Sequence, residues 1–241
     1  ILIYGDYDVD GTCSVALMVE FLKKINAKVM HYQPLREIEG YGISLKSVAW
    51  CKDNSIDLVI ALDCGIKDLK ASKSLKENNV DLIICDHHKP GELLPEAFSI
   101  LNPKQYDCEY PFKELCGCGI GFKLIQALQK KLKLPENELL RYLDLVATAI
   151  AADIVPIVGE NRVLTFIGLK QMQSNPRLGF KILTNQLRKP LKVTDLVFVL
   201  APRINAAGRM DKGLNAVKLM LSVEKHEAVS IARKIEFYNK E

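Results

Sequence analysis

The chain has 241 residues, enough for one large domain or two small ones with a sizeable apolar core. Hydrophobic residues make up 49% and charged residues 26%, which is the composition of an ordinary soluble globular protein. The net charge of +4 permits a nucleic-acid partner but is too small to argue for one.

The cysteines and the lack of long apolar runs predict where the protein resides. Seven cysteines, an odd number, are scattered along the chain, and the Cys-x-Cys pair of Cys116 and Cys118 is a weak metal signal. Reduced thiols in a cytoplasmic protein are the usual interpretation of such a pattern. No uncharged run approaches the length of a membrane span and no signal peptide is recognisable, so we expect no membrane contact.

The start of the chain places three carboxylates at the end of an apolar run. Residues 1–5 are predicted to form a buried strand, and Thr12 is predicted to begin a helix. Asp6, Asp8 and Asp10 then lie where a strand ends, beside the crevice in which open α/β sheets bind ligands. Three close negative charges favour a divalent cation, and a solvated acidic turn is the alternative.

Further apolar runs predict four more strands, and two of them also end in metal-binding residue types. One strand ends before Asp63, and another ends before Asp86, His87 and His88. Strands that alternate with helices indicate a parallel sheet with right-handed crossovers. The predicted fold class is therefore α/β, with a parallel β-sheet flanked by helices over residues 1–103 and a mainly helical region after it. The four strands are expected at residues 27–32, 57–62, 81–85 and 99–101.

The loop after the second strand contains a candidate phosphate contact. It carries Arg36, followed by glycines at positions 40 and 42, and Ser44 is predicted to cap the next helix. An arginine beside glycines and a helix start can bind a phosphate. A glycine turn beside a surface arginine explains the same residues, so both interpretations stay open.

A single acid stands out in the second half of the chain. Asp153 is the only charged residue between Leu145 and Gly159, within a helix predicted over residues 135–155. A lone carboxylate in an apolar helix is costly unless it is hydrogen-bonded or bound to a metal. The sequence leaves these two possibilities open.

A stretch of small residues near the end of the chain is the other unusual feature. Residues 201–209 carry Arg203, Asn205 and Arg209, and they are predicted to form a loop that could bind an anion. Surface arginines are the alternative. The apolar residues 194–200 before this stretch fit either a helix or a strand.

The candidate residues come from four stretches, and three of these follow apolar strands. Many carboxylates with one or two imidazoles can hold two divalent cations roughly 3.5–4 Å apart. Oxygen-rich ligands favour Mg²⁺ or Mn²⁺, and imidazole shifts the preference toward the transition metal. The chain lacks a Gly-x-Ser-x-Gly elbow, a Walker loop, and a Gly-x-Gly-x-x-Gly after the first strand. The candidates are Asp6, Asp8, Asp10, Asp63, Asp86, His87, His88 and Asp153.

Four motifs, in this order along the chain, resemble those of the DHH phosphoesterase family. They are Gly-Asp-Tyr-Asp-Val-Asp-Gly at residues 5–11, Asp-Cys-Gly at 63–65, Asp-His-His at 86–88 and Ala-Asp-Ile-Val-Pro at 152–156. The resemblance extends over nearly the whole chain, and it is strongest to the branch that degrades single-stranded DNA. It implies a DHH domain at residues 1–222, divided into 1–103 and 104–222. It also implies a connecting helix that starts in residues 223–241 and leads to a further domain beyond this chain.

The resemblance also implies a role for each motif residue. Asp63, His87 and His88 are expected at the catalytic centre, where His88 either binds a metal or contacts the scissile phosphate. Asp86 is expected to orient the imidazoles. Many family members carry a histidine where Tyr4 stands, so we expect one nitrogen ligand fewer. The implied metal ligands are Asp8, Asp10, Asp63, His87, His88 and Asp153, with Asp6 as an auxiliary; the expected phosphate contacts are Arg36, Arg203, Asn205 and Arg209.

The implied activity is 5′-to-3′ degradation of single-stranded DNA in repair and recombination, dependent on Mn²⁺ or Mg²⁺. Single-stranded DNA is the expected partner, and a helicase or a single-strand-binding protein is a candidate second partner. Tyr41 and its loop are the aromatic candidates for base stacking. The alternatives are a DHH enzyme that acts on pyrophosphate, cyclic dinucleotides or short oligonucleotides, and an inactive DHH scaffold. We expect this chain alone to bind metal but to cleave DNA poorly.

Overall fold

The structure is a computed structural model that describes residues 1–187, 190–209 and 213–239. Five parallel strands form one sheet in the order β2-β1-β3-β4-β5, so the predicted α/β class is confirmed. Each strand corresponds to one of the apolar runs. The strands are β1 (Leu2–Gly5), β2 (Met30–Tyr32), β3 (Leu58–Leu62), β4 (Asp81–Cys85) and β5 (Ser99–Leu101).

Helices cover both faces of the sheet, which explains why its central strands are apolar at nearly every position. Because side chains alternate along a strand, Leu2 and Tyr4 pack on one face and Ile3 packs on the other. The helices of this part are α1 (Val9–Lys24), α2 (Arg36–Glu39), α3 (Leu45–Asp53) and α4 (Leu69–Glu77). Helices α3 and α4 cover the face that contains Tyr4, and α1 covers the opposite face.

The first helix begins three residues earlier than predicted, at Val9. Asp8 is its N-cap, and the Oδ1 atom of Asp8 accepts a hydrogen bond from the backbone N–H of Gly11 at 2.9 Å. The acidic motif therefore supplies the cap of the helix as well as its first turn. Strand β2 begins later than predicted, at Met30, because residues 27–29 return the chain from the end of α1 to the sheet.

The second half of the chain is helical, as predicted, and it shares a hydrophobic core with one face of the sheet. This core includes both Ile3 from β1 and Ile235 from the last helix. The elements are α5 (Gly117–Lys131), a 3₁₀ helix (Glu136–Tyr142), α6 (Leu143–Ala152), α7 (Gly159–Ser174), α8 (Leu178–Leu183), α9 (Val193–Asp195), a π-helix (Leu196–Leu200), α10 (Ala201–Arg209), α11 (Gly213–Leu221) and α12 (Lys225–Tyr238). Helix α12 packs against α8, α10 and α11; the domain boundary at 222 stays a prediction.

The helix predicted over residues 135–155 ends earlier, at Ala152. Asp153 is its C-cap, and Ile154 follows in the left-handed region with a φ of +57°. Pro156 disfavours a helical conformation for the residue before it, so the helix cannot continue to that point. The placement of Asp153 inside an apolar helix is therefore wrong, and the carboxylate lies at the helix end.

The stretch predicted as an anion-binding loop is also helical. Residues 193–209 form one run of α9, the π-helix and α10. Ile204 and Ala207 are fully buried, so the small residues of this stretch pack into the core. Pro202 lies inside this continuous run, directly after the π-helix, and removes one backbone N–H from the helical hydrogen bonds. The prediction of a loop is therefore wrong.

The state of the cysteines agrees with the prediction of reduced thiols. All seven cysteines are free, as predicted, and all except Cys108 are buried. Among the described residues, no helix is both long and apolar enough to cross a membrane.

Candidate metal centre

Acidic and imidazole side chains from four segments meet at the carboxyl edge of the sheet. Residues 6–10 follow β1, Asp63 follows β3, and residues 86–88 follow β4. Asp153 reaches the same place from the end of α6, and its Oδ2 atom lies 3.5 Å from Nε2 of His87. The convergence of strand ends that the sequence predicts is thus present in the fold.

Asp10 is buried in the first turn of α1 and is held by the N-terminus of α5. Its carboxylate accepts hydrogen bonds from the backbone N–H groups of Gly117 at 2.6 Å and Cys118 at 2.7 Å. These amides and the helix dipole favour the charged form. Burial and the charges of Asp153 and Asp8 outweigh them and raise the pKa of Asp10 to about 8.

Asp63 has a left-handed backbone, with a φ of +60°, which aspartate tolerates better than most residues. Its N–H donates to the carbonyl of Cys85 at 2.9 Å, and its own carbonyl accepts from the Tyr41 hydroxyl at 2.9 Å. The N-terminus of α5 approaches so closely that a Cβ on Gly117 would lie 2.5 Å from Asp63 Cβ. Burial and the charge of Asp10 raise the pKa of Asp63 well above its usual range.

Asp86 fixes the second histidine, as expected for a residue that orients an imidazole. Its Oδ1 atom lies 2.7 Å from Nδ1 of His88 and accepts from the backbone N–H of His88 at 3.0 Å. Its Oδ2 atom accepts from the backbone N–H of Ile66 at 3.0 Å. The hydrogen bond to Asp86 raises the pKa of His88. Because Asp86 engages Nδ1, Nε2 is the ring nitrogen left for a cation or a phosphate.

His87 is buried, and neither of its ring nitrogens makes a hydrogen bond. Nε2 lies 3.2 Å from Oδ1 of Asp63 and 3.5 Å from Oδ2 of Asp153, and these two oxygens also lack hydrogen bonds. Burial lowers the pKa of His87 to about 4, so the ring is neutral near pH 7. Buried polar atoms without partners are costly, and all three atoms are of types that bind metals. These residues therefore fit a divalent cation.

Two groups of side chains among the described residues could each hold a cation. One group is Asp63, His87 and His88, and the other is Asp10, His87 and Asp153. Within each group the ligand atoms lie within 4.8 Å of one another. Because His87 belongs to both, the two groups are adjacent. Their carboxylates and imidazoles suit Mn²⁺ or Mg²⁺.

Two predicted ligands lie beside these groups rather than in them. Asp8 is partly exposed and caps α1 through Gly11. Asp6 is buried and its Oδ1 atom has no hydrogen bond. Burial and the charge of Asp8 raise the pKa of Asp6 to about 7. Their roles as metal ligands stay predictions.

Arg36 lies beside the first acidic motif, and its role as a phosphate contact stays a prediction. The residue is exposed, and its guanidinium lies over the ring of Tyr7, 5.4 Å from the ring centroid. The pKa of Asp6 is raised overall, and the positive charge of Arg36 offsets part of that rise. Arg36 therefore stands beside the first acidic motif.

The other predicted phosphate contacts lie on α10. Arg203 is engaged within the fold, because its Nε donates to Oε1 of Glu236 at 2.5 Å and its guanidinium also donates to the carbonyl of Val199 at 2.7 Å. Asn205 is half-buried on the same helix. The side chain of Arg209 lies outside the described residues. Contact of this stretch with phosphate stays a prediction.

Three residues that hold the centre in place carry no signal in the sequence motifs. The Gln33 side chain donates to the carbonyl of Asp6 at 2.9 Å, and the Asn102 side chain donates to the carbonyl of His88 at 2.8 Å. Tyr41 is the third, because its hydroxyl donates to the carbonyl of Asp63; the stacking role that the sequence suggests for its ring stays a prediction. These contacts join distant parts of the chain, so only the tertiary fold reveals them.

The fold and the centre identify the class of protein. Residues 1–150 match the family model described as DHH family, N-terminal domain. The chain belongs to the DHH family, and the resemblance of the four motifs is confirmed.

Its similarity extends to named members of that family. The chain is 41% identical over 244 residues to the single-stranded-DNA-specific exonuclease RecJ of Bacillus subtilis, covering 100% of this chain and 30% of that protein. It is 36% identical over 254 residues to RecJ of Salmonella typhimurium, covering 99% of this chain and 44% of that protein. The chain thus spans less than half the length of these two curated relatives.

A solved structure shares the whole fold. The crystal structure of exonuclease RecJ bound to manganese has a TM-score of 0.91 and 33% sequence identity, and the match covers 99% of this chain and 60% of that chain. The parallel sheet and the helical region are therefore both those of a DHH protein.

Proposed function

We propose that this chain is the metal-bearing domain of an exonuclease that degrades single-stranded DNA from the 5′ end in repair and recombination. The observation that carries this proposal is the pair of ligand groups that share His87, whose ring nitrogens make no hydrogen bond. The names of the relatives support the substrate, and the related structure bound to manganese supports the metal.

Two divalent cations, Mn²⁺ or Mg²⁺, are proposed to bind at these ligand groups, with His87 as a ligand of only one of them, because a neutral imidazole offers one free nitrogen lone pair. When bound, such a pair lowers the pKa of a water molecule and offsets the charge on a phosphate undergoing in-line displacement. Burial raises the pKa values of Asp10 and Asp63, so in the metal-free protein these carboxyls keep protons to a higher pH than usual. Binding of a cation would release these protons. The proposed ligands are Asp10, Asp63, His87, His88 and Asp153, with Asp6 and Asp8 beside them.

The exposed residues around the centre would bind the DNA. The side chain of His88 is 40% exposed and is oriented by Asp86, so it can contact a metal or the scissile phosphate. Arg36 offers a guanidinium for a backbone phosphate. Tyr41, which is half exposed, offers an aromatic ring on which a base can stack.

The proposed partner is therefore single-stranded DNA. A helicase that produces single strands, or a protein that coats them, is proposed as a second partner. The proposed location is the cytoplasm, where free thiols such as those of this chain persist.

The substrate is tested on the full-length protein with Mn²⁺ and three DNA forms: a 5′-labelled single strand, the same sequence as a duplex, and a dinucleotide. We expect the single strand to be shortened from its 5′ end while the duplex stays intact. Hydrolysis of the dinucleotide alone would contradict this proposal and favour a DHH enzyme for small substrates. The absence of any Mn²⁺-dependent hydrolysis would favour an inactive scaffold.

The metal assignment is tested with Asp63→Asn and a matched control, Asp81→Asn. Asp81 is exposed at the opposite end of the sheet, where β4 begins. Loss of a ligand should reduce the rate by roughly 100-fold or more, since even residues that only support ligands cost 10–100-fold. Asp81→Asn should keep full activity. Activity that persists in Asp63→Asn would contradict the assignment.

A further inference from the structure

We propose that Tyr4 is a positioning residue of the metal centre, and that it acts through the loop of residues 40–43. This inference rests on the proposed function only in taking the centre to bind divalent cations. Tyr4 lies in β1, two residues before Asp6. Its contacts point away from direct metal binding.

Tyr4 is buried in the core of the sheet face covered by α3 and α4. Its ring stacks on Tyr32, with centroids 5.7 Å apart. Its hydroxyl donates a hydrogen bond of 2.7 Å to the carbonyl of Gly42. Because Tyr4 belongs to a buried strand, this hydrogen bond fixes the position of the loop of residues 40–43 relative to β1.

Asp68 holds the same loop through a second hydrogen bond. The backbone N–H of Ile43 donates to Oδ2 of Asp68 at 2.6 Å. Gly42 has a φ of +86°, and a Cβ at this position would lie 2.6 Å from the Asp68 carboxylate oxygens. The positive φ and the close Asp68 carboxylate both favour glycine at position 42, and the hydrogen bonds from Tyr4 and to Asp68 hold residues 42–43 in place.

Tyr41 transmits this arrangement to the metal centre. Its hydroxyl donates to the carbonyl of Asp63 at 2.9 Å and lies 3.1 Å from Nδ1 of His88. Its ring packs edge-on against the ring of His88, with centroids 5.6 Å apart. The left-handed backbone of Asp63 persists only where its surroundings hold it. The hydroxyl of Tyr4 therefore supports Asp63 and His88 through Gly42 and Tyr41.

The test compares Tyr4→Phe with the matched control Tyr142→Phe. The Tyr142 hydroxyl is buried but makes no hydrogen bond, so its removal deletes the same group without breaking a contact. Mn²⁺ affinity is measured by electron paramagnetic resonance titration of the whole protein without DNA. We expect Tyr4→Phe to bind Mn²⁺ roughly three- to tenfold more weakly, the effect of one net hydrogen bond. Equal affinities in the two variants would overturn the proposal.

A double-mutant cycle tests whether Tyr4 acts through Tyr41. We expect Tyr41→Phe to weaken Mn²⁺ binding to a similar degree, and the double variant to lose little more. Additive losses, or unchanged binding by Tyr41→Phe, would overturn this route. Because Tyr41 is half exposed, we expect Tyr41→Phe to fold. Its Mn²⁺ affinity therefore still tests the proposal if Tyr4→Phe does not fold.

The two proposals fail in different ways. A wild-type protein that binds no Mn²⁺ would overturn this inference together with the metal assignment. A full-length protein that binds Mn²⁺ but does not degrade DNA would overturn the exonuclease proposal alone, and the titrations would still decide the role of Tyr4. Where DNA is degraded, we expect Tyr4→Phe to lower kcat more than it changes KM for DNA, because Tyr4 does not face the substrate.

Discussion

Nε2 of His87 lies 3.2 Å from Oδ1 of Asp63, and neither atom makes a hydrogen bond. Both side chains are buried, the imidazole is neutral near pH 7, and burial raises the pKa of the carboxyl. A buried pair of this kind lacks the partners that normally offset desolvation. A cation between the two atoms would supply the missing interactions, and the following predictions derive from this relationship.

Mn²⁺ should stabilise the folded protein. A ligand that binds only the folded state at 100 times its Kd adds about 2.7 kcal/mol to the free energy of unfolding. We expect Mn²⁺ to raise the Tm of the wild type and EDTA to reverse the shift, as measured by differential scanning calorimetry. Asp63→Asn should lose the shift and Asp81→Asn should retain it. An equal shift in both variants would exclude Asp63 as a ligand.

The metal-free protein should become less stable as the pH rises from about 5 to about 8. The pKa is raised to about 6 for Asp153, about 7 for Asp6 and about 8 for Asp10, in each case chiefly by burial. The folded state therefore keeps protons that the unfolded state has already released above about pH 4, and this stability is lost as each carboxyl ionises. The lowered pKa of His87 acts in the opposite direction below about pH 6.5.

Urea unfolding in EDTA at pH 5, 6.5 and 8 measures this dependence. The carboxyls outnumber the two opposing imidazoles, His87 and His31, whose pKa values burial lowers, so we expect a net loss on the order of a few kcal/mol. Saturating Mn²⁺ should weaken or reverse the trend, because ligands bind the cation in their deprotonated form. A metal-free stability that increases with pH would show that the acids are not crowded as described.

Gly117→Ala should destabilise the protein by about 1–3 kcal/mol, the usual cost of overpacking. The added Cβ would lie 2.5 Å from Cβ of Asp63, so α5 and the carboxylate must move apart. Gly91→Ala is the matched control, because a Cβ there meets only the carbonyl oxygen of Leu93 at 3.6 Å. Thermal unfolding should separate the two variants, and equal Tm values would be inconsistent with the close approach of α5.

Arg177→Ala should destabilise the protein by about 3–5 kcal/mol, because it leaves the buried carboxylate of Asp144 without its partner. The guanidinium makes two hydrogen bonds to Asp144, at 2.7 and 2.9 Å, and so joins the start of α8 to α6. Arg141 pairs with Glu20 and is half exposed, so Arg141→Ala should cost about 1 kcal/mol or less. Similar losses in the two variants, measured by urea unfolding, would contradict this account of the buried pair.

The sheet and most of the centre could be predicted because the relevant signals are local. An apolar run that ends in Asp63 or in Asp86 fixes both the strand and the edge at which the acid lies. The carboxyl ends of parallel strands converge, so separate motifs can be placed together without knowledge of the tertiary contacts. The same logic predicts that His87 lies beside Asp63.

The contacts that depend on loops and helix ends could not be predicted in this way. Low helix propensity over residues 201–209 suggests a loop, but the burial of Ile204 and Ala207 overrides it. The apolar run around Asp153 predicts a longer helix, but Pro156 disfavours a helical conformation in the residue before it, and α6 ends at Ala152. The hydrogen bond from Tyr4 to Gly42 joins residues 38 positions apart, and no pattern in the sequence encodes it.

The most direct test of the central claim is anomalous diffraction at the manganese edge from a crystal grown with Mn²⁺. We predict two peaks roughly 3.5–4 Å apart, with His87 bound to one of the two cations and Asp63 and Asp153 among the ligands. A single peak away from His87, or no peak at the carboxyl edge of the sheet, would contradict it.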